Sequence, residues 1–162
     1  MSVAEISETV QYLTFKLADE VFAFDVAKVR EILEITTITK VPQTPDFMRG
    51  VINLRGSVVP VIDLKLSFAM ARTEQTINTC IIVVEVILDG ETIILGVLAD
   101  SVQEVVEMEP DLIEPPPKLG TKLNTEFIRG MGKVGNTFVM ILDIDKVFSK
   151  DQLADLQEGT GQ

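Results

Sequence analysis

The chain resembles itself. Residues 47–68, FMRGVINLRGSVVPVIDLKLSF, align without a gap on residues 127–148, FIRGMGKVGNTFVMILDIDKVF, at an offset of 80. Phe47 falls on Phe127, Arg49 on Arg129, Gly50 on Gly130, Val59 on Val139, Asp63 on Asp143 and Phe68 on Phe148. Upstream, Lys28-Val29-Arg30-Glu31-Ile32-Leu33-Glu34 resembles Ser101-Val102-Gln103-Glu104-Val105-Val106-Glu107. A duplication constrains the fold strongly, because each copy must form the same supersecondary unit and the two must bury their apolar faces together. Shared valines would be weak support, but the Phe-x-Arg-Gly run and the Asp fourteen residues after its Arg are not.

Each copy reads as hairpin, short excursion, strand, one helical turn, hairpin. In Gln11 to Leu17, Leu13, Phe15 and Leu17 alternate with Tyr12, Thr14 and Lys16, the period of a strand. Asp19-Glu20 reads as a turn and Val21 to Phe24 as the returning strand. Asp25 can cap a short helix over Val26 to Arg30. Ile32 to Ile38 is extended until Pro42 and Pro45, and Thr44-Pro45 is a helix-start pair with room for one turn, Asp46 to Met48. Val51–Leu54 and Val58–Ile62 flank a turn at Arg55-Gly56. Cys80–Leu88 and Thr92–Leu98 flank the Asp89-Gly90 hairpin signal. Residues 109–126 are a proline-rich crossing, and Ser149-x-x-Gln152 opens a short helix at about 150–157.

Five short strands per copy suit a small barrel, which closes its own sheet edges. A barrel of ~60 residues has a marginal core, so two packed together are the stable solution. The expected fold is therefore all-β, two five-stranded barrels within a single unit over about 10–157. The first barrel is expected at about 10–68 and the second at about 79–148. With no Trp and 6% aromatic residues, the core must be mainly Val, Ile and Leu.

The net charge of −11 argues against nucleic acid and against anionic membrane surfaces as partners. The start of the chain shows no basic segment followed by an apolar one, and apolar runs stop well short of a membrane span. The expectation is a cytoplasmic protein without direct membrane insertion. The lone cysteine, Cys80, sits in an apolar run and reads as a small buried hydrophobe.

Catalytic machinery is hard to find. There is no histidine, which removes the commonest general base, triad partner and metal ligand together. No phosphate-cradling glycine loop is present, and Gly130, Gly132 and Gly135 read as turn residues between strands. Asp63 and Asp143 occupy equivalent points of the two copies, as an aspartyl acid hydrolase would require. Asp63-Leu64-Lys65 lacks the small-residue turn of such a site, so a strand-end cap is the expected role. No catalytic residue, metal or cofactor is expected.

The segment Gly50-Val51-Ile52-Asn53-Leu54-Arg55-Gly56-Ser57-Val58-Val59-Pro60-Val61-Ile62-Asp63-Leu64 meets every fixed position of the CheW family signature. The chain is thereby identified as resembling that family over about residues 10–157. The resemblance implies two SH3-like barrels on a shared core and a non-enzymatic role as a chemotaxis adaptor. It implies two partners, the cytoplasmic tip of a methyl-accepting chemotaxis receptor and the regulatory domain of the histidine kinase CheA. It also implies recruitment to membrane-associated arrays, with rings of adaptor alone or of adaptor and kinase. Carried over by position, the receptor-facing residues are Val29, Glu31, Asn53, Leu54, Arg55, Cys80 and Val105. The kinase-facing ones are Ile32, Ile35 and Ile38, with Leu119 at a second contact. Cys80 and Leu119 are not the family's commonest residues at their positions.

Taken alone, Arg55 would be a solvated turn arginine and Glu31 a solvated helix-end carboxylate. On a rigid hairpin in so acidic a chain, however, Arg55 could direct a bidentate hydrogen bond at a partner. A CheV-type adaptor, in which a receiver domain regulates a CheW-like part, is the alternative. It would need chain beyond Gln162, so the expectation is the adaptor without a receiver.

Overall fold

The computed structural model describes residues 9–115 and 127–147, and strand period and turn chemistry fold these described residues into ten strands. They are β1 (Val10–Leu17), β2 (Glu20–Asp25), β3 (Val29–Glu34), β4 (Met48–Leu54), β5 (Ser57–Ile62), β6 (Cys80–Leu88), β7 (Glu91–Ala99), β8 (Ser101–Met108), β9 (Ile128–Val134) and β10 (Thr137–Leu142). Single-turn helices α1 (Leu64–Ser67) and α2 (Ile144–Val147) follow β5 and β10. The expected helix at about 150–157 and Leu119 lie outside the described residues.

The strands form two five-stranded sheets, ordered β8-β1-β2-β10-β9 and β3-β6-β7-β5-β4. An isolated antiparallel bridge links chain leaving one edge to the other edge strand: Glu114 to Met131 in the first, Thr39 to Val51 in the second. The Phe-x-Arg-Gly glycine lies beside each bridge. A side chain at Gly50 would strike the Thr39 carbonyl, and one at Gly130 would strike Ile113 and Glu114. That crowding explains why both copies carry glycine there.

Sheet membership corrects the expected barrel boundaries. Replacing each strand by its repeat equivalent converts one sheet order into the other, so the copies are interleaved. The β1–β2 hairpin of the first copy joins β8, β9 and β10, and the β6–β7 hairpin of the second joins β3, β4 and β5. The cause is the length of the joints. Only Asp100 separates β7 from β8, too little for a reversal, so the chain runs on into the other sheet. Between β2 and β3 stands one 3-10 turn, Val26–Lys28, capped by Asp25, whose carboxylate accepts from Ala27 N at 2.9 Å. This turn is shorter than the expected helix, and Glu31 is a strand residue.

Interleaving gives most strands two apolar faces. One cluster fills each sheet's own interior: Tyr12, Val21, Met108, Val139 and Ile141 in the first, and Ile52, Val59, Val61, Ile81, Val83 and Leu98 in the second. A larger cluster, including Phe15, Phe24, Ile62, Ile82, Leu95 and Leu142 on strands of both sheets and Leu64 of α1, lies between them. Tyr12 and Thr14, which alternation alone would turn to solvent, are therefore buried. Thr14 Oγ1 donates to Glu104 O at 2.7 Å and accepts from Glu104 N at 3.1 Å where the β1–β8 register shifts.

Ion pairs tie each short helix to the opposite joint, with signs reversed between copies. Lys65 of α1 reaches Asp100 at 3.1 Å, and Asp100 also accepts from Ala18 N. Lys28 in the other joint reaches Asp145 of α2 at 2.8 Å, and Asp145 accepts from Ile87 N at 2.8 Å.

Candidate protein-binding face

The β4–β5 hairpin is closed by two residues, Arg55 and Gly56, with φ of +51° and +89°. Both signs are those of a type I′ turn, whose twist matches the flanking strands. The Asn53 carboxamide oxygen accepts from Gly56 N at 2.8 Å and so braces the turn. A left-handed backbone is unfavourable for arginine, which suits a side chain retained for what its head group does.

That head group is 71% exposed and lies against Glu31 of β3. Both nitrogens of the guanidinium fork donate, Nη1 to Oε1 at 3.2 Å and Nη2 to Oε2. The contact has a cause in β3. Val29, Glu31 and Leu33 share the half-buried face of the strand, while Arg30, Ile32 and Glu34 are exposed. A carboxylate on an apolar face needs a cation, and Arg55 supplies it. The hydrogen bond from Arg55 holds the Glu31 carboxyl below its ordinary value, and Glu31 raises the Arg55 guanidinium further.

The structure thus gathers Glu31, Asn53, Leu54 and Arg55, with Leu54 partly buried against the interior of its own sheet. Cys80 is half-buried opposite Glu34, and its thiol donates to Asn78 O at 3.3 Å. Val29 packs on the large central cluster. Val105 is exposed but belongs to the other sheet, on β8. Of the three isoleucines singled out, Ile32 alone is exposed, whereas Ile35 and Ile38 pack on the interior of the second sheet.

The second arginine of the motif points inward. Asp63 is fully buried and caps α1, accepting from Lys65 N at 3.2 Å. It also accepts from Thr73 N at 3.0 Å, Thr73 Oγ1 at 2.7 Å and Arg49 Nη1 at 3.1 Å. Four donors saturate a carboxylate, leaving it no capacity to activate water. Asp143 likewise caps, accepting from Asp145 N at 3.2 Å. Backbone hydrogen bonds from Asp63 N to Phe47 O and from Asp143 N to Phe127 O show what the repeat preserves. Both aspartates thus take the capping role expected of them, and the remote acid-hydrolase alternative finds no support in their geometry. The expected helix start at Thr44 is a turn instead, with Thr44 Oγ1 donating back to Val41 O at 2.9 Å.

Sequence reasoning did not find the Glu31–Arg55 or Arg49–Asp63–Thr73 contacts. The alternation in β3, with one acid among apolar neighbours, was the available signal for the first. Among the described residues no helix is long and apolar enough to cross a membrane.

Comparison with known proteins fits this geometry. The CheW-like domain family model matches residues 11–152. The chemotaxis protein CheW of Klebsiella aerogenes is 36% identical over 144 residues, covering 89% of this chain and 84% of that one. The chemotaxis protein CheV3 of Helicobacter pylori is 26% identical, and the match covers 78% of this chain but 40% of that one. The crystal structure of the scaffolding protein TtCheW from Thermoanaerobacter tengcongensis superimposes with a TM-score of 0.77 at 34% identity, covering 88% of this chain and 90% of that one.

Proposed function

The chain belongs to the CheW family of non-catalytic chemotaxis adaptors, and from that premise we propose that it joins methyl-accepting receptors to the kinase CheA through the face built on Glu31 and Arg55. The observation that carries the receptor assignment is the exposed guanidinium on a braced turn, already paired in the fork geometry that recognises a carboxylate or carbonyl. A receptor tip is a helical hairpin, and one helix laid along the end of β4 would meet Leu54 with Arg55 fixing its register. Val29, Cys80 and Val105 enter on the family resemblance.

For the kinase, the exposed side of β3 is the proposed surface, with Ile32 as its apolar contact. Ile35 and Ile38 support that strand from inside. The second contact near Leu119, rings of alternating adaptor and kinase, and a cytoplasmic location at membrane-associated arrays rest on the resemblance. The CheV-type alternative gains little, because CheV3 is 26% identical to this chain where CheW of Klebsiella aerogenes is 36% identical.

The test is co-sedimentation of the purified protein with CheA and a receptor cytoplasmic fragment. A ternary complex that Arg55→Glu disrupts on the receptor side, with kinase binding retained, is expected. Absence of any ternary complex, with both partners competent toward another CheW, would refute the reading.

A further inference from the structure

The loop between the closing bridge and β4 borders a cavity of about 470 Å3 that the adaptor reading does not use. Three cations, Lys40, Arg49 and Arg72, line it together with one carboxylate, Asp46. Seven cations among the described residues have a carboxylate within ion-pair distance; Lys40 and Arg72 do not. Two uncompensated cations in one cavity are unusual in a chain of net charge −11.

Both walls are held in place. Thr39 and Val51 exchange two backbone hydrogen bonds of 2.8 Å, which fixes Lys40 at the mouth of the loop. Thr44 Oγ1 binds Val41 O, Met48 N binds Pro45 O at 3.0 Å, and Pro42 and Pro45 stiffen the rest. On the other wall, Thr73 is clamped by Asp63, and Arg49 bridges Asp63 and Thr73 O at 3.0 Å, so Arg72 leaves a pinned backbone. Arg49 is satisfied by Asp63 and serves as scaffold, which leaves Lys40 and Arg72 as the free donors.

We propose that this cavity docks an acidic peptide segment of a partner protein, with a carboxylate held by Lys40 and Arg72. A single carboxylate responds to nearby cations, because charges beyond about 8 Å are screened at physiological ionic strength. A polyanion would feel the acidic surface as a whole and be repelled. Val41, Met48 and the two prolines offer an apolar wall for the residue beside the carboxylate. The cavity lies at the start of β4 and Arg55 just past its end, about 20 Å apart at the rise of a strand. This is a second site on a separate surface.

The test is an amide chemical-shift titration of the ¹⁵N-labelled full chain with a capped Glu-Leu-Glu-Leu tetrapeptide. The Gln-Leu-Gln-Leu peptide and sodium acetate at matched ionic strength are run in parallel. Saturable shifts at Lys40, Val41, Arg49 and Thr73 are expected with the acidic peptide only. Affinity should fall about tenfold or more in Lys40→Glu/Arg72→Glu, and in Lys40→Gln/Arg72→Gln should the reversal disturb the spectrum. Lys16→Glu should bind as the parent does. No saturable shift, equal shifts with the glutamine peptide, equal shifts with acetate alone, or undiminished binding by both double variants would each overturn the proposal.

Discussion

Arg55 of the β4–β5 turn and Glu31 of β3, 24 residues apart in sequence, meet as a two-pronged ion pair on the surface. Two consequences follow. Glu31 is held in place by its partner, and the guanidinium is oriented before any third molecule arrives. Preorganisation of that kind lowers the entropy lost on binding.

The first prediction is a titration. Glu31 has a lowered carboxyl value in the folded chain, so its contribution is complete above the ordinary 4.5 and is lost as pH falls through the lower folded value. Carboxyl ¹³C NMR should place the Glu31 midpoint below 4.5 in the parent and return it toward 4.5 in Arg55→Gln. An unchanged midpoint in the variant would show that the pair does not persist in solution.

A second concerns the buried pair. Asp63→Ala strips Arg49 and Thr73 of their acceptor and uncaps α1. Removing one partner of a buried ion pair costs about 3 kcal/mol or more, read from urea denaturation. Asp143→Ala, which loses a cap on a half-buried residue, should cost about 1 kcal/mol.

Barrel closure supplies a third. Gly50 combines φ of +144° with the Thr39 carbonyl where a β-carbon would stand, so Gly50→Ala should destabilise by about 2 kcal/mol or more. Gly56 has open space, and Gly56→Ala should cost about 1 kcal/mol through its positive φ alone. Equal losses at the two positions would contradict the closure argument.

The fourth separates surface from support on the kinase side. Ile32→Glu should leave stability within about 0.5 kcal/mol of the parent while weakening CheA binding. Ile35→Ala and Ile38→Ala, from side chains packed on the interior of their sheet, should lower stability measurably. Calorimetric binding and denaturation of the three variants decide it.

How much of this was legible beforehand depends on the range of the signal. The Asp89-Gly90 and Arg55-Gly56 turns and the Asp25, Asp63 and Asp143 caps act over a few residues and appear where the sequence puts them, whereas the strand expected over Ile32 to Ile38 runs instead from Val29 to Glu34, because the helical turn before it is short. The duplication was also legible, but two like copies pair equally well within or across themselves. Only the single-residue joint at Asp100 rules out pairing within each copy. Asp25 announces a helical turn that would put Glu31 at a helix end, but the turn stops at Lys28 and leaves Glu31 on a strand. Contacts such as Arg49–Asp63 and Lys28–Asp145 bring distant residues together, and no local pattern encodes them.

The most direct measurement is an amide-shift map of the ¹⁵N-labelled chain titrated with a helical receptor-tip fragment. Shifts centred on Glu31 and on Asn53 to Arg55, about thirty-fold weaker binding in Arg55→Glu and an otherwise unaltered spectrum are predicted. Saturable binding whose shifts leave those residues untouched, or whose affinity ignores the arginine, would contradict the account.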